Sequence, residues 1–97
     1  MKKKILIVED NVGLSQMQKD WFSQAGYEAV TAMNEPIARS LIRKTQFDLI
    51  LSDVRLPEGD GISLLEWLRK EKKDIPFIIT TEYVSVPDVV RTIKLGA

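Results

Sequence analysis

The stretch Leu49-Ile50-Leu51-Ser52-Asp53 limits the fold more than any other: a short apolar run stops on a carboxylate, and Val54-Arg55-Leu56-Pro57-Glu58-Gly59-Asp60-Gly61 supplies turn chemistry at once. An apolar run of this length fits a strand buried on both faces of a parallel sheet, with Asp53 at its carboxyl end. In open α/β sheets, ligands bind in the crevice outside those ends. The run Ile5-Leu6-Ile7-Val8 finishes in the same way, on Glu9-Asp10. Two strands that each end on carboxylates predict one shared acidic pocket.

Around these two strands the chain alternates between strand and helix. Lys4 to Val8 is the first strand. Leu14, Met17, Trp21, Phe22 and Ala25 then fall on one helical face, expected to be core, and Gly26 supplies the stop. Tyr27 to Ala32 reads as a weaker second strand. Asn34 is the expected cap of a second helix with Pro36 in its first turn, lined by Ile37, Ala38, Leu41 and Ile42. After the third strand and Gly61, a third helix carries Ile62, Leu65 and Leu68 and ends in the charged run Arg69 to Asp74, expected to be solvated, as are Glu58 and Asp60. Pro76 to Thr80 is the fourth strand. A fourth helix opens on a capping box at Ser85 and Asp88, carries Val89, Val90 and Ile93, and ends at Gly96.

Four βα units in strict alternation predict an α/β fold with a parallel sheet and helices on both faces. Right-handed crossovers leave few topologies. The best fit is a flavodoxin-like doubly wound sheet of order 2-1-3-4, in which the first and third strands are neighbours and Glu9, Asp10 and Asp53 meet.

Composition narrows the chemistry of that pocket. The 97 residues hold no cysteine and no histidine, which removes thiolate and imidazole metal sites and the commonest general base. A metal there must be a hard cation held by oxygen, such as Mg2+. Zero net charge argues against a nucleic-acid surface, and Lys2-Lys3-Lys4 is read as a solvated lead-in to the first strand. No apolar run reaches the length of a membrane span or a signal-peptide core, so the expectation is a soluble cytoplasmic protein. Three carboxylates in one pocket repel, by roughly 4 kcal/mol per pair at about 4 Å and an effective dielectric near 20. A magnesium ion relieves this, and a carboxylate beside it can act as a nucleophile toward phosphorus. A hydroxyl at the end of the fourth strand, on Thr80 or Thr81, is in place to hydrogen-bond a phosphoryl group.

Taken in order, Lys4-Ile5-Leu6-Ile7-Val8-Glu9-Asp10, the Asp53-to-Gly61 block, Ile75-Pro76-Phe77-Ile78-Ile79-Thr80-Thr81-Glu82-Tyr83 and Gly96-Ala97 resemble the receiver domains of bacterial two-component response regulators. The resemblance runs the length of the chain. It implies that Asp53 is the phosphoacceptor, that Asp10 binds Mg2+ directly with Glu9 acting directly or through water, and that the Arg55 backbone carbonyl and Asp53 complete the protein's share of the metal shell. It implies that Thr81 is the switch hydroxyl and that Arg55 and Tyr83 tune phosphoryl lifetime. The partners it implies are a sensor histidine kinase and an output domain. The phrase Asp53-Val54-Arg55-Leu56-Pro57 is similar to nitrogen-regulator-like transcription activators, in which that output is an ATPase with a DNA-binding region.

The pattern departs from the family at its end. Receiver domains continue past Gly-Ala with a fifth strand, a lysine at its end and a fifth helix, whereas this sequence stops at Ala97. The expectation is a C-terminally incomplete receiver domain over residues 1–97, part of a longer protein, whose open fourth-strand edge invites dimerisation. Two other functions compete. An Asp-nucleophile phosphohydrolase of the haloacid-dehalogenase type needs a second aspartate two residues after the first, where Arg55 stands; the reading is therefore a switch and not a metabolic enzyme. A receiver-like binding module that works without phosphorylation is the alternative. Trp67 on the third helix, whose neighbours Glu66 and Arg69 are expected to face solvent, is a candidate partner contact.

Overall fold

The computed structural model describes residues 2–71 and 73–80. The elements are β1 (Lys4–Val8), α1 (Val12–Gln24), β2 (Glu28–Ala32), α2 (Glu35–Lys44), β3 (Leu49–Ser52), α3 (Gly61–Lys70) and β4 (Phe77–Ile79). The strands form one parallel sheet in the order β2-β1-β3-β4, as the alternation predicts. The expected fourth helix, Thr81 and Tyr83 lie outside the described residues.

Alternation along β1 divides the core in two. Ile5 and Ile7 face α1, together with Ala29, Phe22 and Leu49. Leu6 and Val8 face α2 and α3, where they join Ala38, Ile42, Ile50, Leu64, Leu65, Leu68 and Phe77. Both faces of β1 are buried because helices cover both, which is why its sequence runs apolar without a break. Fully burying each such side chain stabilises the fold by about 1.5–3 kcal/mol relative to exposure.

Two helix faces depart from expectation. In α1, Met17 is 43% and Trp21 59% exposed, while Ser15 is buried and Gln18, Lys19 and Phe22 are half-buried. The spacing of Ser15, Gln18, Lys19 and Phe22 is itself helical, so the inward stripe is real but lies one step around from the most apolar residues. The aliphatic parts of Gln18 and Lys19 can cover apolar surface while their polar ends reach water. In α2, Ala38 and Ile42 are buried as expected, but Ile37 is exposed and Glu35 is buried in its stead. Asn34 caps α2, its Oδ1 accepting from the Ile37 N–H at 2.9 Å. Asn34→Ala removes that acceptor and is expected to destabilise the chain by about 1 kcal/mol in chemical denaturation, with no change in slope.

The charged end of α3 is not simply solvated. Arg69 is half-buried, and its Nη1 donates to the carbonyls of Lys73 and Ile75 at 2.9 and 3.1 Å. It thereby ties the helix end to the entry of β4. Trp67 is half-buried against the larger core, with the guanidinium carbons of Arg39 and Arg43 at 5.1 and 5.3 Å from its ring centroid.

Candidate functional site

Strand register sets the acidic residues level with one another. Val8 pairs with Ser52 across the β1–β3 ladder, and the Asp53 N–H donates to the Val8 carbonyl at 3.0 Å. On the other side of β1, the Glu9 N–H donates to the Ala32 carbonyl at 2.9 Å. Backbone bonds to both neighbours thus hold the carboxyl end of β1 in place, and Glu9, Asp10 and Asp53 come together with one oxygen from each within 4.8 Å of the others.

The start of α1 organises the first two. Asn11 caps the helix, its Oδ1 accepting from the Leu14 N–H at 2.9 Å. Its own N–H donates to Glu9 Oε2 at 3.1 Å. The acidic pair therefore sits just before a helix N-terminus, where the helix dipole favours negative charge. Glu9 is buried, Asp53 half-buried and Asp10 exposed. A cleft of about 290 Å³ beside the pair is lined in part by Val12, Met33 and Ile37, each exposed on its outer side.

Burial is the main cause that raises the Glu9 pKa above its ordinary value of 4.5; a hydrogen bond with Asp10 and the charges of Asp53 and Asp10 add to it, and the Asn11 N–H opposes. In the metal-free chain the folded state therefore holds this proton more tightly than the unfolded state does. The resulting stability is fully present below the ordinary value and is lost as pH rises through the raised one. Glu9→Gln is expected to raise the melting temperature of the metal-free chain near pH 8, with the difference from wild type closing toward about pH 4. A melt series in a chelator checks this, and equal midpoints at every pH would contradict it.

The loop after Asp53 is tightly closed. The Arg55 N–H donates to Asp53 Oδ1 at 3.3 Å, Arg55 and Asp60 form an antiparallel bridge, and the Gly61 N–H donates to the Val54 carbonyl at 2.8 Å. Asp60 is not a solvated loop charge: it caps α3, accepting from the Ser63 N–H at 2.6 Å. Fully buried Ser52 donates through Oγ to the Asp53 carbonyl at 2.8 Å. Ser52 and Glu35 were not legible as site-supporting residues. Ser52 continues the apolar strand, and Glu35 in a first helical turn looks like an ordinary dipole partner.

The donor set suits Mg2+. All candidate ligands are oxygens, and oxygens bound to that ion at about 2.1 Å in an octahedron lie roughly 3–4 Å apart. The three carboxylate oxygens lie within 4.8 Å of one another, close to that spacing. The structure brings Glu9, Asp10 and Asp53 together, and Arg55 stands in the loop two residues after Asp53; Thr81 lies outside the described residues. No helix among them is long and apolar enough to cross a membrane.

Residues 5–97 match the response regulator receiver domain family. Sporulation initiation phosphotransferase F of Bacillus subtilis is 33% identical over 97 residues, covering 100% of this chain and 78% of that protein. Regulatory protein AtoC of Escherichia coli is 34% identical over 94 residues, covering 97% of this chain and 20% of that protein. The non-phosphorylated HemR receiver domain from Leptospira biflexa superposes with a TM-score of 0.91 at 38% identity, covering 99% of this chain and 77% of that one. The chain spans only 20–40% of the length of the longer curated relatives that it matches.

Proposed function

This chain belongs to the response regulator receiver domain family, and on that footing we propose that it is a phosphorylation-dependent signalling switch with Asp53 as phosphoacceptor. The observation that carries the reading is the convergence of Glu9, Asp10 and Asp53 at the ends of neighbouring parallel strands. An Asp53 carboxylate oxygen attacks the phosphorus of a phosphohistidine on a sensor kinase. A P–O bond forms as the P–N bond breaks, and the departing imidazole keeps the electron pair and takes up a proton from water. Glu9, Asp10, Asp53 and the Arg55 carbonyl would hold Mg2+, which when bound neutralises charge on the phosphoryl oxygens. Asp10 and Glu9 thereby orient the acceptor, and the Arg55 N–H fixes the Asp53 rotamer by holding Oδ1. The Thr81 hydroxyl then moves toward the phosphoryl group, a local charge event that biases a two-state element.

In the cytoplasm, that state passes to an output domain in a longer protein. Similarity to AtoC and to PilR of Pseudomonas aeruginosa supports a transcription regulator of the nitrogen-regulator-like kind, with an ATPase and a DNA-binding region beyond this domain. Incubation with a small-molecule phosphodonor and Mg2+, read by intact mass, tests the reading. One added phosphoryl group is expected for the wild type, and none for Asp53→Asn or in excess chelator. A folded, Mg2+-binding sample that gains no mass would leave the phosphorylation-independent binding module ahead.

A further inference from the structure

Glu35 is 4% exposed, yet it lies in the first turn of α2, where acidic residues ordinarily stand in water. Its partners come mainly from the loop after β3 and the start of α3. Oε1 accepts from the Asp60 N–H at 3.0 Å, Oε2 accepts from the Ser63 hydroxyl at 3.2 Å, and the Glu35 N–H donates to the Glu58 carbonyl at 3.2 Å. Arg39, one turn along α2, pairs with Oε2. The carboxylate therefore fastens α2 to the loop that follows Asp53 and to the start of α3.

The loop is shaped to receive it. Gly59 has φ +81°, and a Cβ there would overlap the Glu35 carboxylate and lie 2.8 Å from its Cβ. Asp60, whose N–H Glu35 holds, is the residue bridged to Arg55. The backbone bond of that bridge runs from the Gly61 N–H to the Val54 carbonyl, so the buried carboxylate reaches the chain beside Arg55 through Asp60 and its neighbour Gly61. A buried carboxylate is costly unless it is fully hydrogen-bonded, and an apolar residue would fill the space more cheaply. A role in fixing loop shape accounts for its presence.

We infer that Glu35 is a positioning residue for the metal site, acting through Asp60 and the Gly61–Val54 bond to hold the loop that carries the Arg55 carbonyl where a cation would bind. The inference rests on the Mg2+ reading given above. Calorimetric titration of the full chain with Mg2+ tests it, using Glu35→Ala, Glu35→Gln and Gly59→Ala, each checked for folding by circular dichroism. Glu35→Ala removes the acceptor and is expected to weaken Mg2+ binding about tenfold, as loss of outer support does at metal sites. Glu35→Gln removes the same charge but keeps an oxygen for the Asp60 N–H, so its affinity should stay within about threefold of wild type. Gly59→Ala displaces the carboxylate from an exposed loop position and should weaken binding severalfold. Should Glu35→Ala fail to fold, Gly59→Ala decides. Wild-type affinity in either Glu35→Ala or Gly59→Ala overturns the inference. So does equal weakening in Glu35→Gln and Glu35→Ala, which would mark a through-space effect of charge. A wild-type chain that binds no Mg2+ would instead overturn the metal reading, and this inference with it.

Discussion

Replacing Asp10 by asparagine is expected to weaken Mg2+ binding by about tenfold or more, and at the same time to raise the melting temperature of the metal-free chain. The two effects have one origin. Asp10 brings a carboxylate within 4.8 Å of oxygens on Glu9 and Asp53, and all three groups are acidic. Without a cation the like charges repel; with one they are its ligands. Asparagine keeps the shape and one carbonyl oxygen but loses the charge that favours a hard divalent ion. Asp10 is exposed, so screening by water and salt limits the gain in metal-free stability, whereas ligand loss is felt in full. Melting curves recorded with and without Mg2+ check both. Wild type should gain substantially on adding the ion and the variant should gain little, and a variant that gains as much as wild type would remove Asp10 from the metal shell.

Gly61→Ala should be strongly disruptive. Gly61 is buried at the first position of α3, and a Cβ there would overlap the Asp53 carbonyl oxygen and lie 2.9 Å from Ser52 Oγ. Neither neighbour can move freely. Ser52 is fully buried and already donates to that carbonyl, and the Gly61 N–H is committed to Val54. Overpacking of this kind costs about 3 kcal/mol, a fall in Tm of roughly 10–20 °C for a domain of this size. It also shifts Asp53, so phosphoryl transfer should fall with stability. Gly13→Ala is the matched control: in α1 its Cβ would meet only Asn11 Oδ1, at 3.5 Å, and the change should be neutral or stabilise by up to about 1 kcal/mol. Thermal melts of the two variants side by side separate close approach from a general intolerance of alanine.

The parts of the fold that sequence conveyed well are those in which burial on two faces leaves no choice. Ile5 to Val8 and Leu49 to Leu51 read as interior strands, and pairing the two side by side brings their terminal carboxylates together. The cap of α2 was equally plain, because Asn34 has one useful acceptor and a proline two residues on. Legibility failed where identity and direction part company. Trp21 and Met17 are apolar and helically spaced, but the stripe that turns inward is set by how α1 leaves Asn11, and it selects Ser15 and Phe22. Glu35 and Asp60 have the composition of surface charges, and what buries the first is a loop more than twenty residues later in the chain, reached only through tertiary closure. Single-residue chemistry does not report a partner that the fold supplies.

The unequal surroundings of the two tryptophans give this protein an optical address on each face of its sheet. Trp21 stands 59% exposed on α1, open to a neutral collisional quencher such as acrylamide, whereas Trp67 lies half-buried under the guanidinium groups of Arg39 and Arg43. Emission that survives quenching therefore originates chiefly from the seam where α2 meets α3. Arg39 is also the ion-pair partner of Glu35, so this residual signal is wired to the latch on the loop behind Asp53. A change in ion occupancy or phosphorylation that disturbs that latch can be followed in native protein by a fluorophore already in place, without a label.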